Sequence, residues 1–332
     1  MSEPSQQPDV SFVIAAYNAE DTLAPAIQSA LEQESVSVEV VVVDDCSTDS
    51  TLEIVRSFDD PRITVIHQSE NGGPGKARNT GIAAATGHWI AVLDSDDTVL
   101  PERTAAMIAR AEDMGAEVVV DNLEIVPMEG SPTYRMFDAG ELAKRKTISL
   151  ADYIGSNVIF SETFNFGYMK PMFSRAFLIE HGLGYGEDLR IGEDYIMMAS
   201  ALASGALCAI EPSAGYVYHL RQDSISRVLN LGHVDDMLRA DQAFNGRFPL
   251  TGSALAAQLR RTRSLLDARA FLKLVDAIKT RSPGAAIGTA IANPSALRHL
   301  RMPITKRVQR VFARWSVNRN KPKPPKRMQE AG

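Results

Sequence analysis

Cysteine, aromatic residues and long apolar runs are all scarce in this chain. Two cysteines and an aromatic content of 7% stand among its 332 residues. Cys46 and Cys208 lie outside any CxxC or Cys/His spacing, so we predict reduced thiols, with neither a disulfide scaffold nor a structural zinc site. The longest apolar stretch, 199–210, has about half of the roughly 20 residues that a membrane-spanning helix needs. Residues 1–9 are polar and lack cations, so no secretory signal is expected.

Cations are also scarce outside the C-terminal end. Residues 277–332 hold 13 of the 35 Lys and Arg residues and one of the 41 acids, a charge of +12, which leaves −18 on residues 1–276. Segment 298–316 predicts a basic amphipathic helix that binds an anionic membrane surface or packs on the protein's own acidic body. Its aromatic residues favour the membrane, and no nucleic acid is expected as a partner. The apolar stripe comprises Ile304, Val308, Val311, Phe312 and Trp315.

Short apolar runs rich in Val and Ile alternate with segments of helical periodicity over the first 120 or so residues. This alternation predicts an α/β fold with an open parallel sheet and helices on both faces. Polar residues 127–146 predict a loop or linker, and 233–280 predicts helix. The predicted strands are 10–16, 36–43, 63–67, 88–93 and 117–121, and the predicted helices are 19–33, 48–58, 76–85, closed by Gly87, and 101–114.

Three of the predicted strands end in polar residues. Tyr17-Asn18 follows the first strand, Asp44-Asp45 the second and Asp94-Ser95-Asp96-Asp97 the fourth. Ligands of such sheets bind at the carboxyl ends of the strands, and clustered carboxylates are typical ligands of Mg²⁺ or Mn²⁺. The alternative is a polar helix start in which Asp97 caps the following helix. The repetition of acids after two buried strands favours a metal and diphosphate site.

The glycine-rich segment 71–81 excludes two nucleotide-binding motifs. It does not follow the first strand as GxGxxG should, and Gly75-Lys76 is followed by Ala77 rather than Ser or Thr. A nicotinamide dehydrogenase and a P-loop NTPase are therefore not supported. Lys76 and Arg78 would meet a diphosphate from a helix start, although a plain turn explains the segment equally well.

Two later motifs are ambiguous by themselves. The pair Glu193-Asp194 is typical of a solvated helix start. His219 fits a metal ligand or a core histidine, and Arg221 fits a phosphate contact or a surface ion pair.

Five motifs, in this order, resemble the family 2 glycosyltransferases of GT-A fold: FVIAAYNAEDTL, VEVVVVDDCSTDST, NGGPGKARNTGI, WIAVLDSDDTVLP and RIGEDYIM. The resemblance covers 10–125 well and 150–227 more loosely. Segment 170–194 is similar to bacterial exopolysaccharide glucosyltransferases of the succinoglycan type. The family implies a mixed sheet flanked by helices, with a helical C-terminal extension, and a divalent metal, Mn²⁺ or Mg²⁺.

The resemblance also implies a role for each matched residue. Tyr17 and Asp44 would hold the nucleotide base, with Asp45 beside them and Arg78 in the same pocket. Asp96 would bind the metal, and Asp194 would be the general base with Glu193 as its substitute. The implied nucleotide-sugar site comprises Ala16, Tyr17, Asn18, Glu20, Asp44, Asp45, Gly73, Lys76, Arg78, Asp94, Ser95 and Arg221. The implied metal ligands are Asp96, Asp94 and His219, with Asp97 behind them. The family's YRxH arrangement is altered here, because Val217 follows Tyr216 and Arg221 comes after His219.

The sequence thus predicts an inverting transferase that moves a sugar, expected to be glucose from UDP-glucose, to a saccharide or lipid-linked acceptor in bacterial polysaccharide synthesis. Its expected location is the cytoplasm, with attachment to the inner face of the plasma membrane. The alternatives are a sugar-phosphate nucleotidylyltransferase, which should carry a basic glycine-rich loop after the first strand, and a non-catalytic nucleotide-sugar-binding protein. The predicted organisation is a flexible 1–9, a catalytic domain 10–228 with a donor half 10–125 and an acceptor half 150–228, a helical region 229–317 and a disordered tail 318–332.

Overall fold

A single nine-stranded sheet with helices around it forms the centre of the fold. The computed structural model describes residues 7–128, 131–160, 165–221, 229–295 and 297. The strands are β1 Val10–Ala16, β2 Val38–Asp44, β3 Ile63–His67, β4 Trp89–Val92, β5 Thr98–Val99, β6 Val118–Val126, β7 Tyr134–Arg135, β8 Met172–Ser174 and β9 Cys208–His219. The helices are α1 Leu23–Leu31, α2 Thr51–Arg56, α3 Pro74–Ala84, α4 Arg103–Met114, α5 Ala139–Lys144, α6 Leu150–Ser156, α7 Arg175–His181, α8 Glu193–Ala203, α9 Leu231–Arg247, α10 Gly252–Lys279 and α11 Pro283–Ala292.

The chain divides into two compact units, Met1–Leu265 and Leu266–Gly332. The sheet, helices α1 to α9 and the first part of α10 belong to the first unit, and α11 belongs to the second. The predicted boundaries of the catalytic domain and of the helical region stay predictions. The predicted basic helix 298–316 and the tail 318–332 lie outside the described residues.

The first half of the sheet is parallel, with strand order β3-β2-β1-β4. Its strands are nearly continuous runs of Val, Ile and Ala, because helices cover both faces of such a sheet and leave no solvated face for alternating polar residues. Helix α3 packs closely on this half, since Gly81 lies against Val13 and Val43 where any side chain would collide with them. This contact fixes how close Arg78, which lies one turn earlier on the same helix, stands to the sheet.

The second half of the sheet is mixed, which corrects the parallel sheet predicted from the alternation of strands and helices. Strand β8 is inserted antiparallel between β4 and β6, and β6 then pairs with β9 in parallel. Three residues are too few to give a periodic pattern, so β8 leaves no signal in the sequence. The α/β fold with a mixed sheet, flanking helices and a helical C-terminal region is confirmed.

Several local predictions need correction. The predicted linker 127–146 contains β7 and α5, where Asp138 accepts a capping hydrogen bond from the backbone of Glu141. Helix α3 ends with Ala85 at its C-cap, and Gly87 lies beyond it. The predicted helical segment 233–280 is two helices, because Pro249 interrupts it between α9 and α10. None of the helices in the described part of the chain is long and apolar enough to cross a membrane.

Candidate functional site

The acidic motif 94–97 forms the turn that follows β4, at the carboxyl edge of the sheet. Strand β1 pairs in parallel with both β2 and β4, so Ala16, Asp44 and the acidic turn come to the same edge. The turn is closed by a hydrogen bond from the backbone N–H of Asp97 to the carbonyl of Asp94, at 3.1 Å. The edge predicted from strand order is therefore the place where the candidate residues gather.

Arg78 is the centre of the site. Its buried guanidinium donates to Asp94 at 2.8 Å and to Glu193 at 2.7 Å, and it lies 3.2 Å from a carboxylate oxygen of Asp194. It also lies over the ring of Tyr185, 5.2 Å from the ring centre. The pKa of Arg78 is raised well above its usual value, since the surrounding carboxylates outweigh the effect of burial. In the structure Arg78 joins the acidic motif to the Glu-Asp pair, and its predicted place in the base pocket stays a prediction.

Lys170, a residue that sequence analysis missed, makes the second link between these acids. Its ammonium group lies 2.6 Å from Asp94 and 3.5 Å from Asp194, and little of the side chain is exposed. Burial lowers the pKa of Lys170, but Asp94 and Asp194 outweigh it and raise that pKa, so the amine stays charged. The signal in the sequence that could have indicated Lys170 is its place at the start of segment 170–194, which resembles the exopolysaccharide glucosyltransferases.

A buried ion pair holds the backbone of Lys170 in place. Arg103 of α4 donates to both carboxylate oxygens of Asp121 on β6, each at 2.9 Å, and to the carbonyl of Lys170 at 2.8 Å. The same guanidinium lies over the ring of Tyr216 on β9, 5.3 Å from its centre. The short strand β8 thus begins from a position that α4, β6 and β9 define together.

Asp97 is tied to β9 rather than to a helix start. Its carboxylate accepts from the hydroxyl of Tyr216 and from the backbone N–H of His219, each at 2.9 Å. Helix α4 begins at Arg103 without a side-chain cap, so Asp97 does not cap it. Burial, followed by the charges of Asp94 and Asp96, raises the pKa of Asp97 to about 8. Asp97 therefore supports the turn from behind.

The acids of this turn carry more negative charge than their neighbours compensate. Burial and Asp94 raise the pKa of Asp96, with Arg221 and Lys170 acting against them. Within the described residues Asp96 forms no ion pair, whereas the oxygens of Asp94 are already paired. A carboxylate destabilised by like charge is a suitable ligand for a hard divalent cation, so the donor chemistry fits Mg²⁺ or Mn²⁺ at Asp96.

The predicted metal ligands are not assembled into a complete set. No group of three His, Cys, Asp or Glu side chains is arranged to hold a metal ion in the part of the chain that the structure describes. Nε2 of His219 lies 3.2 Å from the hydroxyl of Thr98. The assignment of Asp94, Asp96 and His219 as metal ligands stays a prediction.

Glu193 and Asp194 form the first turn of α8, and the structure distinguishes them. The side chain of Glu193 is 10% exposed and is paired with Arg78, and burial together with Asp194 raises its pKa. The side chain of Asp194 is 34% exposed. Solvent can therefore reach the carboxylate of Asp194 more readily than that of Glu193. Gly192 begins this helix with φ +92°, a left-handed conformation that other residues rarely adopt.

The predicted base-binding acids are engaged within the protein. Asp44 is fully buried, with one oxygen 2.7 Å from Nδ1 of His67 and the other accepting from the backbone N–H of Ser47 at 3.2 Å. Asp45 accepts from the N–H groups of Gly72 and Gly73 at 2.7 and 2.8 Å. Tyr17 is 51% exposed and is the accessible member of the predicted pocket. His67, which sequence analysis missed, covers Asp44.

Most of the remaining residues of the predicted nucleotide-sugar site make local contacts within the protein. The backbone of Ala16 accepts from Asp45 at 2.8 Å, and Asn18, with φ +50°, accepts from the backbone of Thr48. Glu20 accepts from the N–H of Ser50 at 3.0 Å. Gly73 is the N-cap of α3, and Lys76 lies 3.1 Å from Glu70. Ser95 is half-buried in the acidic turn, and Arg221 follows β9.

Comparisons with known proteins agree on one family. Residues 11–177 match Glycosyl transferase family 2. Succinoglycan biosynthesis protein ExoO of Rhizobium meliloti (strain 1021) is 56% identical over 93% of this chain and 88% of its own length. Succinoglycan biosynthesis protein ExoU of the same organism is 34% identical, over 87% and 84% respectively.

A solved structure shares the architecture. The crystal structure of S. aureus TarS 1-349 in complex with UDP-GlcNAc superimposes with a TM-score of 0.62, over 85% of this chain and 79% of that one. At 20% sequence identity this likeness shows the fold alone.

Proposed function

This chain belongs to glycosyl transferase family 2, and we propose that it moves a sugar from a UDP-sugar to a hydroxyl group of a saccharide or lipid-linked acceptor, with inversion at the anomeric carbon. The observation that carries the proposal is the buried cluster in which Arg78 and Lys170 join Asp94, on the donor side, to Asp194, on the acceptor side. Such a cluster brings a base within reach of the place where a donor would lie.

Transfer is proposed to occur in one displacement. Asp194 takes the proton of the acceptor hydroxyl, whose oxygen attacks the anomeric carbon while the bond from that carbon to the diphosphate oxygen breaks. UDP departs with the bonding electrons, and a single attack from the opposite side inverts the anomeric centre. Arg78 and Lys170, which lie 3.2 and 3.5 Å from its oxygens, orient the Asp194 carboxylate. General-base catalysis of this kind contributes roughly 10²–10⁴-fold.

A divalent ion would complete the donor side. Asp96 would hold Mn²⁺ or Mg²⁺, with Asp94 and His219 as the further predicted ligands. When bound, the ion would neutralise the charge that develops on the departing diphosphate. The raised pKa of Asp96, caused by burial and by the charge of Asp94, supports this assignment.

The relatives support the proposed donor and pathway. TarS is known in complex with UDP-GlcNAc and with UDP, which supports a UDP-sugar here. ExoO and ExoU are succinoglycan biosynthesis proteins, so the acceptor is proposed to be a growing exopolysaccharide unit, and the exopolysaccharide resemblance favours glucose as the sugar. The proposed location is the cytoplasmic face of the plasma membrane.

Release of UDP from UDP-glucose, UDP-galactose and UDP-GlcNAc, measured with Mn²⁺, Mg²⁺ or EDTA, tests the reaction and the donor. We expect metal-dependent release from one donor, and Asp96→Ala should reduce it at least 100-fold because the diphosphate charge is then less stabilised. Asp59→Ala, an exposed acid, is the matched control and should match the wild type. Binding of a UDP-sugar without any turnover would indicate a nucleotide-sugar-binding protein instead.

Membrane attachment is proposed from the charge of the C-terminal segment. Lys and Arg near anionic headgroups contribute about 1 kcal/mol each, and 298–316 predicts one apolar stripe among basic faces. Truncation after residue 295 should abolish sedimentation with vesicles that contain 30% phosphatidylglycerol while UDP release is retained. Equal sedimentation of the truncated and complete chains would contradict the proposal.

A further inference from the structure

A second buried charged network lies outside the residues assigned to transfer. Nε of Arg261, on α10, lies 3.1 and 3.3 Å from the two carboxylate oxygens of Asp241, on α9. Gln258 donates to the same carboxylate at 2.9 Å. All three side chains are almost completely buried. The network therefore needs an explanation other than surface solvation.

This network contacts the beginning of α8 through one aromatic ring. The guanidinium carbon of Arg261 lies 3.5 Å from the centre of the Tyr195 ring, and the Tyr195 hydroxyl donates to Gln258 at 3.4 Å. Tyr153 of α6 stacks with Tyr195 at 5.6 Å between ring centres. Arg261 also donates to the carbonyl of Asn157 at 2.7 Å. Tyr195 is thus fixed by α6 and α10 together.

Tyr195 is the residue that follows Asp194. Consecutive residues of an α-helix are rotated by roughly 100°, so these two side chains leave different sides of the same first turn. The turn begins at Gly192 without a side-chain capping hydrogen bond. Since the glycine constrains the chain little, the position of this turn depends on how its side chains are held.

The charges of Asp194 and Arg261 also act on a common group. Burial raises the pKa of the Tyr153 hydroxyl, Tyr195 and Asp194 raise it further, and Arg261 acts against them. The network and the proposed base therefore act electrostatically on the same buried hydroxyl.

Stability alone is a weak explanation for such a pair. A buried ion pair is often no more stabilising than apolar residues of similar volume, because both ions lose hydration. Burial raises the pKa of Asp241 even though Arg261 and Gln258 compensate its charge. Unlike an apolar contact, the ion pair is directional, because the planar guanidinium binds its partners at defined angles.

We propose that Arg261 is a positioning residue, which holds the first turn of α8 through Tyr195 and thereby places the Asp194 carboxylate for proton transfer. This inference rests on the proposed function, which assigns the base to Asp194. It gives α9 and α10, which follow the family match of residues 11–177, a part in catalysis.

The test compares the wild type, Arg261→Met and the double variant Asp241→Leu/Arg261→Met in the complete chain. UDP release from the active UDP-sugar gives kcat, calorimetry gives the Kd of UDP, and thermal unfolding gives Tm. Arg261→Met should lower Tm because Asp241 is left buried and unpaired. The double variant should recover most of that loss, while its kcat stays about 10-fold to 100-fold low, as expected for a displaced catalytic group, and its Kd for UDP stays within about twofold.

Two controls complete the test. Arg260→Met, on the exposed side of the same helix turn, should leave kcat, Kd and Tm unchanged, and Arg261→Lys should give an intermediate kcat because it keeps the charge without the planar fork. A double variant with wild-type kcat would overturn the inference.

If the double variant fails to fold, Tyr195→Leu and Tyr195→Phe replace it. Tyr195→Leu, which removes the ring, should lower kcat at an unchanged Kd for UDP, whereas Tyr195→Phe should retain most activity. Equal kcat in both variants and the wild type would overturn the inference. Absence of UDP release in the unaltered chain would instead contradict the proposed function itself.

Discussion

Asp194→Asn is expected to lower UDP release by about 10²–10⁴-fold, because an amide cannot accept the proton of the attacking hydroxyl. Asn has nearly the same shape, and its side-chain oxygen can still accept a hydrogen bond from Arg78. Affinity for UDP should therefore change little. The measurement is kcat from UDP release, beside the Kd of UDP from calorimetry.

Asp188→Asn is the matched control for this change, because it makes the same substitution at an exposed position of the segment that precedes α8. It should leave kcat unaltered. The comparison with Glu193→Gln then separates the two members of the acidic pair. Glu193 is buried and bound to Arg78, so its variant should affect stability as well as kcat. Wild-type turnover in Asp194→Asn, with a large loss in Glu193→Gln, would transfer the role of base to Glu193.

Arg78→Met is expected to destabilise the fold by ~3–5 kcal/mol, the usual cost of removing one partner of a buried charged cluster. Asp94, Glu193 and Asp194 would then face one another with Lys170 as the remaining neighbouring cation described in contact with them. UDP release should also be lost, because the two acidic motifs are no longer joined. Urea unfolding at pH 7 measures the free energy, and the UDP-release assay measures activity.

The stability that Arg78→Met loses relative to the wild type should depend on pH. Burial raises the pKa of Asp94, but Lys170 and Arg78 together lower it well below its usual value of 3.8. A lowered pKa contributes stability that is present above the unfolded value and is lost as the pH falls. The gap in free energy of unfolding between the wild type and Arg78→Met should therefore persist from pH 7 down to the neighbourhood of the unfolded value, 3.8, and narrow as the pH falls below it.

Arg62→Met provides the comparison for this variant. Arg62 is paired with Asp60 at 2.7 Å, but its side chain is largely solvated, and exposed pairs contribute about 0–1 kcal/mol. Its loss should be small at every pH. A loss at Arg78 no larger than that at Arg62 would show that the cluster does not hold the two halves of the site together.

The first four strands and the helices between them could be predicted from the sequence, because each is long enough to show its own pattern. Runs of Val and Ile mark β1 and β2, and helix α1 shows apolar residues at helical spacing. Strand β8 could not be predicted, since Met172–Ser174 is a strand only through its neighbours. With it the sheet becomes mixed.

The acidic turn and the Glu-Asp pair were also found in the sequence, but their relation was not. Carboxylates that directly follow a buried strand are local features, readable without a structure. The role of Arg78 was not readable, because its partners Asp94 and Glu193 lie 16 and 115 positions away. The neighbours of Asp44 were not readable either, because its carboxylate is enclosed by His67 and the backbone of Ser47, and its predicted role in base binding stays a prediction.

The sequence by itself determined the family, the α/β class and the edge of the sheet where the acids stand, because these depend on motifs of a few adjacent residues. Only the tertiary structure decided which charges meet. Lys170 is 76 positions from Asp94, and Arg261 is 104 positions from Asn157. Ion pairs and stacked rings act over a few ångströms, and that separation is set by how the sheet and helices pack, which no local pattern records.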